Sequence, residues 1–445
     1  MRGFRRLHAA AFACLTFVAF DSAAAPRVDP TLCAWPVETA GTGLTNVAYP
    51  DKNATYWTMP LDRSRWQSMT IKGTFPRARF FSFVSYTSHG VAHDSIVDNE
   101  IVPDAGSHNP FVDGTWAPSD TYTVTVGGAQ SSNNISLDPE SPQLTWVIYR
   151  IYVSNDDNDR EAGVPLPEIT LVGSDPSDTK TLTACQLRDG PIDKLRSLLK
   201  GMNSAHVLDQ ILLDIHARRD TKPPSCQPED DVVFWIPKNT GGYFPNPANK
   251  YIAAPGLCFD RDKVVVVRGK AAGFPNTHED QPVWEPATPP GSPIQLRYWS
   301  MCNNDQLSPY PVVDCRADWN VKLDENNYYT YVVADATGGQ VPSWLPSDAT
   351  VLPWGTKNIA NILIFRNMLP EEDFTQTVQA AIAADCVIDN QPGVTPDREL
   401  VDKKGQCAAN VMGEYYPRAV YCDKSVLAAQ GWQGCFANAA SARRN

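Results

Sequence analysis

Apolar positions along this chain recur mostly at strand spacing, and helical spacing is confined to a few stretches. Trp66–Ile71 alternates in part, as a strand with one wet face does. Ala78–Tyr86 is richer: Phe81 and Phe83 share one face, Phe80 and Tyr86 the other. Aromatics on both faces predict a central strand covered on each side. Thr121–Val126 and Gln143–Val153 read as further strands, the second very apolar and β-branched, and Leu166–Val172 as a last one. Helical spacing appears after the cap Asp189-Gly190-Pro191, where Ile192, Leu195, Leu198, Leu199 and Met202 line one face. A second helix follows at Val207, Leu208, Ile211, Leu212 and Ile215, before Lys222-Pro223-Pro224. Leu369-Pro370-Glu371-Glu372-Asp373 reads as one more helix start, with Phe374, Val378, Ala381 and Ile382 on its apolar face.

The strand pattern occurs twice. Ala78-Arg79-Phe80-Phe81-Ser82-Phe83 and Leu296-Arg297-Tyr298-Trp299-Ser300-Met301 share the order apolar, Arg, aromatic, aromatic, Ser, apolar. The flanks follow: Tyr122–Val126 matches Tyr329–Val333, and Trp146–Arg150 matches Ile362–Arg366. Ser95-Ile96-Val97-Asp98 is matched to Pro311-Val312-Val313-Asp314. Arg79 then corresponds to Arg297, Asp98 to Asp314 and Arg150 to Arg366. An internal duplication is the reading, and it sets the predicted fold: mainly β, two tandem antiparallel sandwiches of jelly-roll type. The first repeat spans 25–188, a helical connector 189–224, the second repeat 225–386, and a Cys-containing tail 387–445 wraps on the body.

Residues 1–24 have the form of a secretory leader: Arg2, Arg5 and Arg6, the apolar run Ala9–Phe20, then small residues. The expected localisation is therefore secreted or periplasmic, with no membrane span. One of the 11 Cys lies in the leader. The remaining Cys33, Cys185, Cys226, Cys258, Cys302, Cys315, Cys386, Cys407, Cys422 and Cys435 are even in number, which predicts disulfides throughout. Cys302 and Cys315 flank one hairpin, and the last four suit a stapled tail. Formal net charge is −12, and −14 without the leader (35 Lys+Arg against 49 Asp+Glu). That balance argues against nucleic acid as a partner.

At Arg297–Cys302, Tyr328–Val333, Leu352-Pro353-Trp354-Gly355 and Leu363–Pro370 the chain resembles a family of exported bacterial β-rich proteins of unknown function. Asn53–Trp57 and Pro103–Ser107 resemble that family's N-terminal half. In style it is distantly similar to the domains catalogued as DUF1254 and DUF1214. The resemblance implies a fold and supplies no catalytic residue.

Candidate chemistry is sparse. No GxSxG, HExxH, Walker or dinucleotide-binding glycine pattern is present. His89, His93, Asp94 and Asp98 form the densest ligand-like group, suited to a transition metal through the histidines or to calcium through the carboxylates. The same residues also suit a solvated sheet edge. The repeated Arg79, Arg297, Arg150 and Arg366 sit in apolar strands, where a lone charge is costly. They either bridge to Asp98 and Asp314 inside each repeat, or face a cleft and hold an anionic ligand. Trp344 and Trp354, among Pro and Gly, are candidates for stacking on a sugar. His93, Asp98 and Arg297 are the candidates for catalysis. Three functions stay open: a binding protein for a polar or carbohydrate-like ligand, a secreted hydrolase or lyase on a glycan or ester, and a structural envelope protein.

Overall fold

The computed structural model describes residues 33–42, 46–128, 132–185, 231–238, 244–277, 287–307, 310–336, 341–389 and 396–442. The leader, the helical connector and Cys226 lie outside the described residues.

The first sandwich contains β1 (Val37–Ala40), β2 (Ala54–Asp62), β3 (Trp66–Thr74), β4 (Ala78–Tyr86), β5 (Ala92–Val97), β6 (Thr121–Val126), β7 (Asn134–Ile135), β8 (Leu144–Ser154), β9 (Glu168–Gly173) and β10 (Thr179–Leu182). They form two five-stranded sheets, ordered β1-β2-β8-β4-β5 and β10-β9-β3-β6-β7. The second half contains β11 (Asp231–Val232), β12 (Ile236–Pro237), β13 (Asn249–Leu257), β14 (Lys263–Lys270), β15 (Phe274–Pro275), β16 (Ala287–Thr288), β17 (Leu296–Asp305), β18 (Val312–Ala317), β19 (Tyr328–Ala334), β20 (Thr350–Pro353), β21 (Asn361–Pro370), β22 (Val387–Ile388) and β23 (Arg418–Asp423). Its main sheets run β13-β21-β17-β18 and β11-β23-β14-β19-β20.

Strand register confirms the duplication. Ser82 of β4 lies opposite Arg150 of β8, and Ser300 of β17 lies opposite Arg366 of β21. Tyr56 of β2 and Tyr251 of β13 face the same two arginines from the other side. Even the parallel pairings recur, β6 with β7 and β19 with β20. One expected correspondence is corrected. Val97 lies opposite Ser82 and Ala317 opposite Ser300, so the residues that follow them correspond: Asp98 matches Asp318. Asp314 matches Asp94 instead, since Asn303 faces Asp314 as Ser85 faces Asp94.

Alternation explains the packing. Phe81, Phe83, Tyr149 and Ile151 point into the first sandwich, and Trp299, Met301, Leu363 and Phe365 into the second. The alternate residues Phe80, Tyr152, Tyr298 and Met368 form a third apolar layer, shared by the repeats. Every residue of β4 is buried for this reason. Burying both faces of the central sheets takes a large apolar area from water, at about 25 cal/mol per Å².

Two expectations change in the second half. β21 stays extended to Pro370, opposite Leu296, because pairing wins over the acidic helix signal. The helix begins later, at Val378–Ala383, where the Thr377 hydroxyl accepts the Ala380 N–H. The tail is part of the body: β23 pairs with β14, the position that β9 takes beside β3. Helices Arg398–Met412 and Lys424–Ala442 flank it.

Disulfides join Cys33–Cys185, Cys302–Cys315, Cys386–Cys407 and Cys422–Cys435, and Cys258 is disulfide-bonded as well. Among the described residues no helix is long and apolar enough to cross a membrane. Cross-links stabilise chiefly by restricting the unfolded chain, more so for longer loops. Cys33–Cys185 closes 152 residues and Cys302–Cys315 only 13. Replacing the first pair by Ser should therefore cost about 2 kcal/mol more than replacing the second. Urea unfolding of the two double variants checks this; equal costs would contradict it.

Candidate functional site

The centre of the molecule is a set of buried charges that cross between the repeats. Arg79 of β4 pairs with Asp318, and Arg297 of β17 with Asp98, all of them buried. Arg297 Nη1 lies 3.1 Å from both carboxylate oxygens of Asp98 and also donates to the Arg79 carbonyl at 3.3 Å. Each carboxylate is fixed by its own repeat. Asp98 accepts the Phe81 N–H at 3.1 Å and the Asn99 N–H at 2.7 Å; Asp318 accepts the Trp299 N–H at 3.1 Å. Burial pushes the Asp98 carboxyl up, opposed first by Arg297 and then by the two N–H groups. Asp318 is pushed up for the same reason, opposed by Arg79. The expected bridges inside each repeat are thus replaced by bridges between them. The carboxylate is anchored on its own sheet and its open side faces the neighbour.

Arg150 and Arg366 form a second crossed layer. Arg150 Nη2 donates to the Phe244 carbonyl at 2.7 Å, and Arg366 Nη2 to the Tyr49 carbonyl at 2.9 Å. Phe244 leads into the second repeat and Tyr49 into the first. The Phe244 N–H donates to Gly90 at 2.9 Å and the Tyr49 N–H to Tyr310 at 2.9 Å, both on the hairpin of the opposite repeat. The four backbones have positive φ: 59°, 77°, 56° and 60° at Phe244, Gly90, Tyr49 and Tyr310. Sequence reading missed this second signature. Tyr49-Pro50-Asp51 with Tyr56 repeats as Phe244-Pro245-Asn246 with Tyr251, at equal spacing, but it lies upstream of the matched strands.

The two lead-ins differ where it matters. In the first, Asp51 Oδ2 accepts the hydroxyls of Tyr298 at 2.8 Å and Ser300 at 2.7 Å, with Arg366 Nε at 3.8 Å. Lys52 beside it binds Asp314 at 2.7 Å, and Arg316 binds the same carboxylate at 2.6 Å. In the second lead-in Asn246 stands for Asp51 and Pro247 for Lys52. Asp94, the counterpart of Asp314, accepts the Ser136 N–H and O–H at 2.7 Å each and the Ser95 N–H at 2.8 Å. Burial pushes its carboxyl up, but these donors and His93 outweigh that and hold it below the usual value.

A cleft of about 370 Å³ opens on this side, lined by Ala92, His93, Asp94 and Ser95 of the first repeat and Pro245, Asn246, Pro247, Asn249, Lys250 and Tyr251 of the second. His93 is exposed, and Lys250 Nζ donates to the Pro247 carbonyl at 3.1 Å. Burial lowers the Lys250 ammonium pKa. Asn246 Nδ2 and Asn249 Oδ1 are buried and have no hydrogen-bond partner among the described residues.

Of the sequence-derived candidates, His93 and Asp94 line this cleft. His89 is exposed in the adjoining turn, its ring 3.1 Å from the Ser88 hydroxyl, and Asp98 is held by Arg297. The four proposed metal ligands are therefore not brought together. Among the described residues the group that meets metal-site spacing is Asp51, Cys302 and Cys315, whose thiols are consumed by their disulfide. His93, Asp98 and Arg297 do not assemble as a catalytic set either, since Asp98 and Arg297 close on each other. Trp354 is buried against Phe259 at 5.7 Å, and half-buried Trp344 packs under the tail helix with Lys424 at 5.8 Å from its ring. Neither offers a free stacking face at the cleft.

No protein-family model matches the chain, and no curated protein does. Among solved structures, an uncharacterised protein of Burkholderia cenocepacia is 12% identical, over 88% of this chain and 82% of that one, with TM-score 0.47. A protein of Vibrio parahaemolyticus is 11% identical, over 84% and 90%, with TM-score 0.39. Likenesses this remote assign neither family nor activity.

Breaking a crossed pair should be costly because it strands a buried charge. Arg297→Ala and Asp98→Ala are each expected to destabilise by about 3–5 kcal/mol, with much of that recovered in the double variant. Urea unfolding of the four proteins tests it; additive costs would show that the pair does not couple.

Proposed function

We propose that this is an exported binding protein that holds a small polar, carbohydrate-like ligand in the cleft between its repeats. The observation that carries the reading is the broken symmetry. One of two corresponding places is closed by the Lys52–Asp314 ion pair, while the other is open and lined by His93, Asp94, Ser95, Asn246, Asn249 and Lys250. A volume of about 370 Å³ falls at the small end of ligand sites, which run from about 300 to 1,000 Å³. It suits one or two sugar-sized rings. Carboxylate, ammonium, amide and hydroxyl groups there can both accept and donate, as hydroxylated ligands require. Secretion or a periplasmic location is supported by the leader-like N-terminus and by disulfides, which persist in oxidising compartments. His93 and Asp94 both line the cleft and are the groups there that a hydrolase or lyase could use, so turnover separates the binding and enzyme readings.

A thermal-shift screen with monosaccharides, disaccharides and sugar acids should yield ligands that raise Tm. For such a ligand, His93→Ala and Lys250→Ala should each weaken binding by about tenfold, or about 1.4 kcal/mol. Both side chains are at least partly exposed, so the ligand-free Tm should stay near the parent's. A screen without a single shift would favour the structural envelope reading, and released product would favour the enzyme.

A further inference from the structure

We infer that the ligand of this cleft carries a carboxylate, which Arg150, Ser82 and Asn246 hold as Arg366 and Ser300 hold the carboxylate of Asp51. The inference rests on the binding reading above and names its ligand class.

Corresponding positions carry the argument. Arg366 and Ser300, opposite each other on β21 and β17, share Asp51, which supplies a charge partner and accepts the serine hydroxyl. Arg150 and Ser82 occupy the same register on β8 and β4. Their lead-in offers Asn246, a neutral amide, in place of that carboxylate. The consequences appear atom by atom: among the described residues Arg150 Nε and Nη1, Ser82 Oγ and Asn246 Nδ2 are buried without a hydrogen-bond partner, whereas in the counterpart group of Arg366, Ser300 and Asp51 only Arg366 Nη1 is.

Among the described residues Arg150 has no carboxylate partner. Its guanidinium lies 5.6 Å from the Tyr56 ring and 5.3 Å from the Tyr86 ring, and Nη2 donates to the Phe244 carbonyl. Burial pushes the phenols of Tyr56, Tyr86 and Tyr251 up, so these neighbours are neutral near pH 7 and leave the cation uncompensated. A buried cation without a counter-charge is expensive, and so is each unmade hydrogen bond. A carboxylate answers both, since it is acceptor-only and can take two guanidinium N–H groups with a hydroxyl and an amide donor to spare.

Of this donor group Asn246 lines the opening while Arg150 and Ser82 are buried away from it, so a carboxylate reaches them where the Asn246 side chain, now in the Asp51 position, gives way. A carboxylate placed there would leave the remainder of its molecule against His93, Asp94 and Lys250, where hydroxyls find donors and acceptors. The ligand class is a small hydroxylated monocarboxylic acid, of which a sugar acid is the simplest case.

The test uses the full exported chain in chloride-free buffer, with glucuronate, glucose and chloride as probes, read by calorimetry and Tm. Glucuronate should bind and raise Tm, while glucose should bind at least about tenfold more weakly and chloride should not reproduce the shift. Asn246→Asp would supply the carboxylate internally. It should raise the ligand-free Tm and abolish glucuronate binding, and Ser82→Ala should weaken that binding by about tenfold. These variants leave Arg150 in place, so a fold that depends on it does not confound the result. An Asn246→Asp protein that binds glucuronate like the parent, or melts lower, overturns the inference. Chloride stabilising as well as glucuronate would overturn it too, as a bare anion site. Glucose binding equal to glucuronate, with both lost in Lys250→Ala, would leave the cleft reading standing and remove the carboxylate from it. No binding by any probe would overturn both.

Discussion

The crossed Arg79–Asp318 and Arg297–Asp98 pairs are the constraint on which the rest of the molecule depends. Measured against apolar packing, buried ion pairs add little net stability, but a partnerless buried charge is severely penalised. Sliding one sandwich against the other by a residue would leave all four charges buried without partners. The docking of the repeats is therefore fixed by charge, although the area that holds them together is apolar: Phe80, Tyr152, Tyr298 and Met368. Because β4 and β17 lie at this seam, each central sheet is covered on both faces.

Fixing the seam also fixes the lead-ins. Arg150 and Arg366 each grip a carbonyl from the segment entering the opposite repeat, and the gripped residues then lean on the hairpin of the arginine's own repeat. The two corresponding places then differ: Lys52 reaches Asp314 in one, while in the other Asn246 and Pro247 line the cleft.

The repeat, its central strands and the disulfide content were legible in the sequence, because apolar alternation and cysteine parity are local or additive signals. Arg79 with Arg297 and Arg150 with Arg366 were matched correctly, since they sit within strongly patterned strands. Asp98 was matched to Asp314 because each repeat carries two aspartates four residues apart, and Val precedes the second of the pair in one repeat and the first in the other. Only strand register chooses between them. Bridges inside each repeat were expected because sequence shows which residues neighbour each other along a strand and not which sheet faces which. The tail's role was hidden for a related reason. Arg418–Asp423 is too short to announce that it pairs with β14, a strand far upstream that begins at Lys263. His93 and Asp94 were found through their polarity, whereas Asn246 and Asn249 carry no sequence signal until the two lead-ins are aligned.

The crossed contacts have the geometry of an isologous interface, the kind that joins two identical subunits about a two-fold axis. In such a homodimer every contact is made twice by the same residues, so any substitution alters both copies together. An Asp-to-Asn change that opened a recess would unpair both arginines at once. Carried within one polypeptide, the two copies vary separately. Asp51 can go on neutralising its arginine while Asn246, in the other copy, supplies no charge, a difference that two identical subunits could not carry.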